Sequence, residues 1–407
     1  MRESRSTFSS PSALLLAASM CIGIGVEISN GHYSVPALVA IVAAMVLVTT
    51  HWIRRARRPT EIDPPTDSRA LMLLVAGGVI AMLWIAMNDE RLVLYAVRPW
   101  RVTMVALCVM GIAVASYVPA ILRGTAENQA LRHARFAVVL ACVLAGGIDT
   151  IRASPVPAVD VWVVEMDGAD ALMHGKNPFA VVSVPSTAPN HAGPNSPYVY
   201  TPLQLFVTTP AKAIAGDIRY AMLAAILIAG CAMRFAARRA SGVDASFAED
   251  APALCYFATP KLFFILEQAW TEPVSVMFVS LVVAAHVAKR PIATSILLGL
   301  AFATKQTMIW MVPIACTALS LAPVHIAIAF GVAAATVVPF AVADFHALKF
   351  AQLDYLKLLP PRDDGLTLRT AFLDMLGIEI PGAIGFVLAA IASAFSAWRF
   401  RGRASEL

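Results

Sequence analysis

Acids, a histidine, a lysine and several aromatic rings gather in the stretch Val159–Tyr220 of a chain that is otherwise strongly apolar. Asp160 opens this stretch, and a carboxylate there has two uses. It can take the proton of an attacking hydroxyl as a general base, or it can cap the first free N–H groups of a helix over Val161–His174. Glu165, Asp167 and Asp170 follow. They can hold a divalent cation through carboxylate oxygens, or form the solvated side of a helix, with Glu165 off the face that Asp167 and Asp170 share. His174, Lys176 and Asn177 end that helix, where positive charge favours its dipole; the alternative is contact with sugar hydroxyls or a phosphate. Arg219, Lys261 and Lys305 offer positive charge to an anionic group. A charge inside a membrane costs about 2.5–3.5 kcal/mol at a helix centre and is read as functional. The competing readings are that the lysines snorkel to the interface and that Arg219 pairs with Asp217. Glu267 and Glu272 form a polar break between two apolar runs, lining a cavity or forming a wet turn. Trp162, Phe179, Tyr198, Tyr200 and Trp270 are interfacial anchors or stacking platforms.

The elements that must position these groups follow from composition. The 407 residues are 59% hydrophobic and 14% charged, with a mean hydropathy of +0.72, whereas a soluble domain carries about 25% charged residues. Apolar runs recur at roughly the ~20 residues that span a bilayer as helix, and they do not alternate as barrel strands would. The expected fold is all-α: a polytopic helical membrane protein with about 12 transmembrane helices. The spans are expected at Pro11–Ile28, Val35–Ile53, Ala70–Met87, Val102–Leu122, Ala134–Thr150, Ile218–Phe235, Ala251–Leu266, Val274–Val287, Pro291–Thr304, Thr307–Leu321, Pro323–Ala343 and Pro381–Trp398. The first is read as a retained span rather than a cleaved signal, since no small-x-small site follows it.

Basic residues cluster after alternate spans: Arg54, Arg55, Arg57 and Arg58; Arg123, Arg132 and Arg135; Arg234, Arg238 and Arg239; Lys289 and Arg290; Arg399, Arg401 and Arg403. The positive-inside rule puts all of them, and both termini, in the cytoplasm. The polar stretch Ile151–Asp217 and the later loop Asp344–Glu379 then share the extracytoplasmic side of a plasma (inner) membrane. Val161–His174 is expected as an amphipathic helix on the membrane surface, with Trp162, Met166, Ala169 and Met173 facing down. Ser183–Pro202 reads as a flexible loop, Thr201–Ala215 as a short re-entrant or interfacial helix, and Asp344–Glu379 as two short helices about a proline-stiffened turn. The six cysteines lie in apolar runs without CxxC spacing, so neither disulfides nor a cysteine metal site is expected. A net charge of +5, placed at span ends, is no nucleic-acid signature. P-loop, GxGxxG, zinc-spacing and GxSxG motifs are lacking, so a transferase would take its donor from the membrane.

The order of several short motifs resembles a known family. Asp160-Val-Trp-Val followed by Ala171-Leu172-Met173-His174-Gly175-Lys176-Asn177-Pro178-Phe179 is similar to the outer-loop pattern of polyprenyl-phosphate-sugar-dependent glycosyltransferases of the GT-C superfamily, in the bacterial mannosyltransferase-like branch. Tyr200-Thr201-Pro202-Leu203, Gly216-Asp217-Ile218-Arg219-Tyr220, Phe264–Pro273, Gly299–Gln306 and Pro361-Arg362-Asp363-Asp364-Gly365-Leu366 resemble its later elements. Phe179 stands where Tyr is usual, and Thr201 where Pro is usual. The resemblance covers Ala134–Trp398 and divides the chain into an N-terminal four-span region (1–133), a GT-C-like catalytic module (134–398, with the outer loop 151–217) and a cytoplasmic tail (399–407).

It implies an inverting hexosyl or pentosyl transfer from a polyprenyl-phosphate donor to an extracytoplasmic glycan or glycolipid, with Asp160 as base. His174, Lys176, Asn177, Tyr200, Arg219, Lys261, Glu272, Lys305, Gln306 and Arg362 are then the candidate substrate-binding residues. No metal ligand is assigned, although a divalent cation stays open. The competing expectations are a transporter or flippase using Lys305 and Lys261 as pathway charges, and a non-catalytic membrane scaffold.

Overall fold

The computed structural model describes residues 13–29, 31–57, 69–123, 128–183, 195–241, 247–359, 365–381 and 383–400. Apolar segments that water cannot reach must satisfy their own backbone polar groups, which helices do internally. The chain follows suit: α1 (Ala13–Ser29), α2 (Val35–Arg57), α3 (Arg69–Met87), α4 (Arg101–Ala115), α5 (Val118–Arg123) and α6 (Gln129–Ala153) come first. Then come α7 (Asp160–Met173), α8 (Pro202–Ala215), α9 (Arg219–Ser241), α10 (Phe247–Phe257), α11 (Leu262–Glu267) and α12 (Glu272–Val287). The remainder is α13 (Pro291–Phe302), α14 (Val312–Ala318), α15 (Pro323–Lys349), α16 (Tyr355–Leu358), α17 (Leu368–Leu376) and α18 (Ala383–Phe400). The only strands among the described residues are the antiparallel pair β1 (Val182–Ser183) and β2 (Ser196–Pro197).

Helices occupy all twelve expected span positions. Four stretches are long and apolar enough to cross a membrane by length and composition: Arg101–Arg123, Gln129–Ala153, Arg219–Ala240 and Pro323–Leu358. Seven others are shorter apolar helices of 10–17 residues, and Ala251–Leu266 falls in neither group. Three expected elements differ in shape. Ala251–Leu266 is two helices, α10 and α11, because Pro260 has no N–H to continue the ladder and disfavours helix at Thr259. Thr307–Leu321 begins as a 3-10 turn (Gln306–Met311) before α14. In α15 the backbone leaves helical geometry at Asp344 (φ −161°, ψ 93°), whose Oδ1 accepts the Ala347 N–H and restarts the helix (2.9 Å).

The N-terminal helices do not pack apart from the rest. One buried cluster joins Met20, Val75, Leu107, Val143, Leu223 and Phe263, drawn from α1, α3, α4, α6, α9 and α11. A smaller one gathers Val164, Phe179, Tyr198, Leu205 and Phe340 around α7.

Charged side chains form two layers at opposite ends of the long helices. On α6, Arg132 pairs with Glu249 (3.0 Å) at one end and Asp149 with Arg98 (3.0 Å) at the other. These points lie about 26 Å apart at ~1.5 Å per residue. Asp149 also accepts the Thr103 N–H (3.1 Å), so α6 supplies the cap of α4. On α9, Arg219 pairs with Asp217 (2.6 Å), and Arg234 pairs with Asp250 (2.5 Å) about 22 Å further along. Tyr117 donates to the same Asp250 (2.8 Å). The interval between layers is close to the ~30 Å of a bilayer's hydrocarbon.

Close crossings hold the helices at these positions. A methyl group at Gly299 would sit 2.3 Å from the Ala329 backbone oxygen, so α13 and α15 meet backbone to backbone there. Gly299→Ala is expected to force the two apart and destabilise the protein by about 1–3 kcal/mol, seen as a lower thermal midpoint in detergent. An unchanged midpoint would contradict this crossing.

Candidate functional site

The helix that carries Asp160 is wedged between two clusters rather than laid on a surface. Trp162, Met166 and Ala169 pack on the large core, Val164 on the smaller one, and Met173 of the expected lipid face is exposed. α7 ends in a Schellman turn. Gly175 takes a left-handed φ of +66°, the Lys176 N–H reaches the Ala171 carbonyl (2.8 Å) and the Gly175 N–H reaches that of Leu172 (3.1 Å). His174 Nδ1 lies 2.8 Å from the Asp170 carbonyl, closing the same turn, and its ring and the Lys176 side chain are exposed. Asn177 Oδ1 accepts the Phe179 N–H (3.1 Å) and starts the turn Pro178–Ala180, while its Nδ2 is buried without a partner.

Asp160 is the first residue of α7; the cap position itself is Val159. Its carboxylate is exposed and accepts the Val161 N–H (2.8 Å). Two phenols lie close enough to sense it. Burial first, then the carboxylates of Glu267 and Asp160, hold Tyr95 above its ordinary value. Burial, then Glu165, Asp160 and Glu272, does the same to Tyr200. Tyr200 thus lies within electrostatic reach of three carboxyl groups.

These three differ in state. Glu272, at the start of α12, is half exposed and pairs with Lys305 (2.5 Å). Asp160 is in no salt bridge among the described residues. Glu165, expected on a solvated face, is completely buried: Tyr198 Oη donates to its Oε1 (3.2 Å), and Thr208 Oγ1 lies 3.4 Å from its Oε2. Burial pushes the Glu165 carboxyl up to about 8, against the smaller opposing effect of those hydrogen bonds. Asp170 is held by Lys212 (2.6 Å). Glu165, Asp167 and Asp170 thus share no ion site, and no group of three His, Cys, Asp or Glu side chains comes together for a metal among the described residues.

The segment after β2 is a strap held on both sides. Tyr198 seats its ring against Gly168 of α7, where any Cβ would meet the ring at 2.4 Å. Phe179 meets Tyr198 edge-on (5.5 Å) and Phe340 likewise (5.3 Å); a phenyl buried this way has no use for a hydroxyl. On the other side, Gln306 Nε2 donates to the Val199 carbonyl (3.0 Å) and to Gln352 Oε1 (2.6 Å). Gln352 Nε2 donates to the Tyr200 carbonyl (2.7 Å). Thr201 Oγ1 donates to the Thr304 carbonyl (2.8 Å), a bond that proline could not make.

Two expected phosphate partners lie elsewhere. Arg219, completely buried, forks onto Asp217 (2.6–3.0 Å) and reaches the carbonyls of Glu267 (3.4 Å) and Ile151 (3.5 Å). Its planar fork knits three segments together. Lys261, 2% exposed, is clamped by Asp89 (2.5 Å) and Glu27 (3.4 Å). Neither guanidinium nor ammonium is open to a ligand in this arrangement. Glu267 is likewise occupied, accepting the N–H groups of Leu94 and Tyr95 (2.7 Å each). Arg362 lies outside the described residues. The residues brought together are therefore Asp160, Tyr200, Glu272, Lys305 and Gln306, joined by Tyr95, Glu165, Tyr198 and Gln352. Sequence signals for the last group are weak, because their partners are remote in the chain.

No protein-family model, curated protein or solved structure matches the chain. The site rests on its own geometry.

The two lysines are expected to separate by experiment. Lys261→Met leaves Asp89 and Glu27 buried without their cation and should cost about 3–5 kcal/mol. Lys305→Met, at a partly exposed pair, should cost no more than about 1 kcal/mol. Denaturation midpoints of the detergent-solubilised chain measure both; equal losses would contradict the assignment of Lys261 to the scaffold and Lys305 to the site.

Proposed function

We propose that the chain is an integral-membrane glycosyltransferase of GT-C type, moving a hexose or pentose from a polyprenyl-phosphate donor to an extracytoplasmic glycan or glycolipid. The observation that carries this reading is the state of the carboxyls around Tyr200. Glu165 is buried and Glu272 is paired, which leaves Asp160 exposed and, among the described residues, without a cation at the mouth of α7. A base needs an open carboxylate. Here the acceptor hydroxyl gives its proton to Asp160 as its oxygen bonds to the anomeric carbon. The bond from that carbon to the phosphate oxygen breaks on the opposite face, and the polyprenyl phosphate leaves with the electron pair. Positive charge gathers on the sugar and negative charge on the leaving group. Lys305, tethered to Glu272, is the cation on hand for the phosphate, and Tyr200 and Gln306 offer ring and amide contacts to the sugar.

The twelve-span arrangement belongs to the same proposal. Arg132, Arg234 and Arg238 mark the end opposite Asp160, which the positive-inside rule assigns to the cytoplasm. The site then faces outward, at the bilayer edge where a lipid-anchored donor presents its head group. The competing transporter reading uses Lys261 and Lys305 as pathway charges; of these, Lys261 is buried in its pair with Asp89.

Membranes containing the full chain, given labelled polyprenyl-phosphate sugars and a cell-envelope extract, should produce a labelled product. Asp160→Asn should lower that rate by about 10²–10⁴-fold, the range of general-base catalysis, with an unaltered thermal midpoint. Undiminished transfer by the variant would overturn the base assignment.

A further inference from the structure

Glu165 is buried, ionisable and unused in the transfer step described above. It sits on α7, as Asp160 does, but faces inward between α8 and the strap. Its contacts define which proton goes where. Thr208 has one hydroxyl proton, and the Gln204 carbonyl, 2.8 Å away, takes it. Thr208 Oγ1 is then an acceptor, 3.4 Å from Glu165 Oε2. Tyr198 Oη, donating at 3.2 Å, satisfies Oε1. The set closes when Oε2 carries a proton and gives it to Thr208: each of the three side-chain groups then has a donor matched to an acceptor. An ionised Glu165 would have no cation in reach. The lysine of α8, Lys212, is turned to Asp170 and to the Met166 carbonyl. The strap brings Tyr198 and Tyr200, both weakly acidic phenols, and α15 brings the apolar Phe340 to the same cluster.

What Glu165 holds is more telling than how it is held. Tyr198 is its partner, and Tyr198 is continuous with Val199, Tyr200 and Thr201, whose backbone and side chains are pinned to Thr304, Gln306 and Gln352. The strap is thus a bridge, hydrogen-bonded at both ends, between the helix bearing Asp160 and the corner bearing Lys305. Glu165 is its fastening on the Asp160 side.

We propose that Glu165 is a positioning residue, fixing the Tyr198–Thr201 strap to α7 so that Asp160 and the Lys305–Gln306 corner keep their separation. The site it serves is the one proposed above and rests on that reading, but the fastening can be read without any donor sugar. When the strap opens, Glu165 meets water and recovers its ordinary acidity. Opening therefore becomes easier as pH rises from the ordinary value of 4.5, and levels off above about 8, where the closed form ionises too. Below 4.5 both forms are protonated and opening is independent of this group.

Hydrogen exchange of the full chain in detergent micelles, read on peptides covering the strap and corrected for intrinsic rates, tests this. Strap protection should fall about tenfold per pH unit across that window in the wild type. Glu165→Gln, which keeps the size and can still bond Tyr198 and Thr208, should keep protection high and make it flat with pH. Glu165→Ala should lose it throughout and slow sugar transfer, with Glu165→Gln restoring the rate. A Glu165→Gln profile as steep as the wild type, or a Glu165→Ala strap as protected as the wild type, would overturn the proposal. Should transfer prove insensitive to Asp160 while strap protection still tracks Glu165, the fastening stands and the catalytic reading fails.

Discussion

A charge in an apolar bundle must find a partner or lose its proton, and this constraint organises the whole protein. Water is not available to solvate a side chain such as Arg219, Lys261, Asp250 or Glu267, each of which is at most 2% exposed. Three are answered from another segment, Lys261 by Asp89, Asp250 by Arg234 and Tyr117, and Glu267 by the Leu94 and Tyr95 N–H groups, while Arg219 is answered by Asp217 two residues away. Removing one partner of such a pair is costly even where the intact pair adds little net stability. The pairs thus act as registration marks, fixing which helix ends lie side by side. They gather into two layers because only the ends of the bundle tolerate them.

Against that background, an unpaired acid stands out. Most acids near Tyr200 are accounted for: Glu272 by Lys305, Glu165 by Tyr198 and burial, Glu267 by two backbone donors. Among the described residues, Asp160 is left with only the N–H of its own helical neighbour. Its helix is held from three directions, by the large core, by α8 through Lys212, and by the strap through Glu165. An open carboxylate on a well-held helix is what a general base requires, since rigid support keeps the reacting geometry.

Local chemistry was legible in the sequence and remote pairing was not. The apolar runs named the helices, because hydrophobic length needs no partner to be recognised. The glycine stop at Gly175 was readable, as was the Asp217–Arg219 pair, because their contacts are short-range. Glu165 reads as one of three surface acids; nothing in its neighbourhood announces that Tyr198 will cover it. Met173 has the right periodicity for a buried face, yet it is exposed, since α7 is bounded by α8 and the strap rather than by a flat surface. Lys261 looks like a functional charge because its two acids, Glu27 in α1 and Asp89 in the turn after α3, lie far earlier in the chain. Pro260 does explain the break that makes room for it.

The central claim is that Asp160 and the arginine layer lie on opposite faces of a membrane, with Asp160 outward. It is tested most directly by single cysteines in a background lacking the six native ones. Asp160→Cys and Arg238→Cys would be offered a membrane-impermeant maleimide on intact cells and again after permeabilisation. The account predicts labelling at position 160 in intact cells, and at position 238 only after permeabilisation. Labelling of both positions from the same side, or of 238 alone in intact cells, would contradict it.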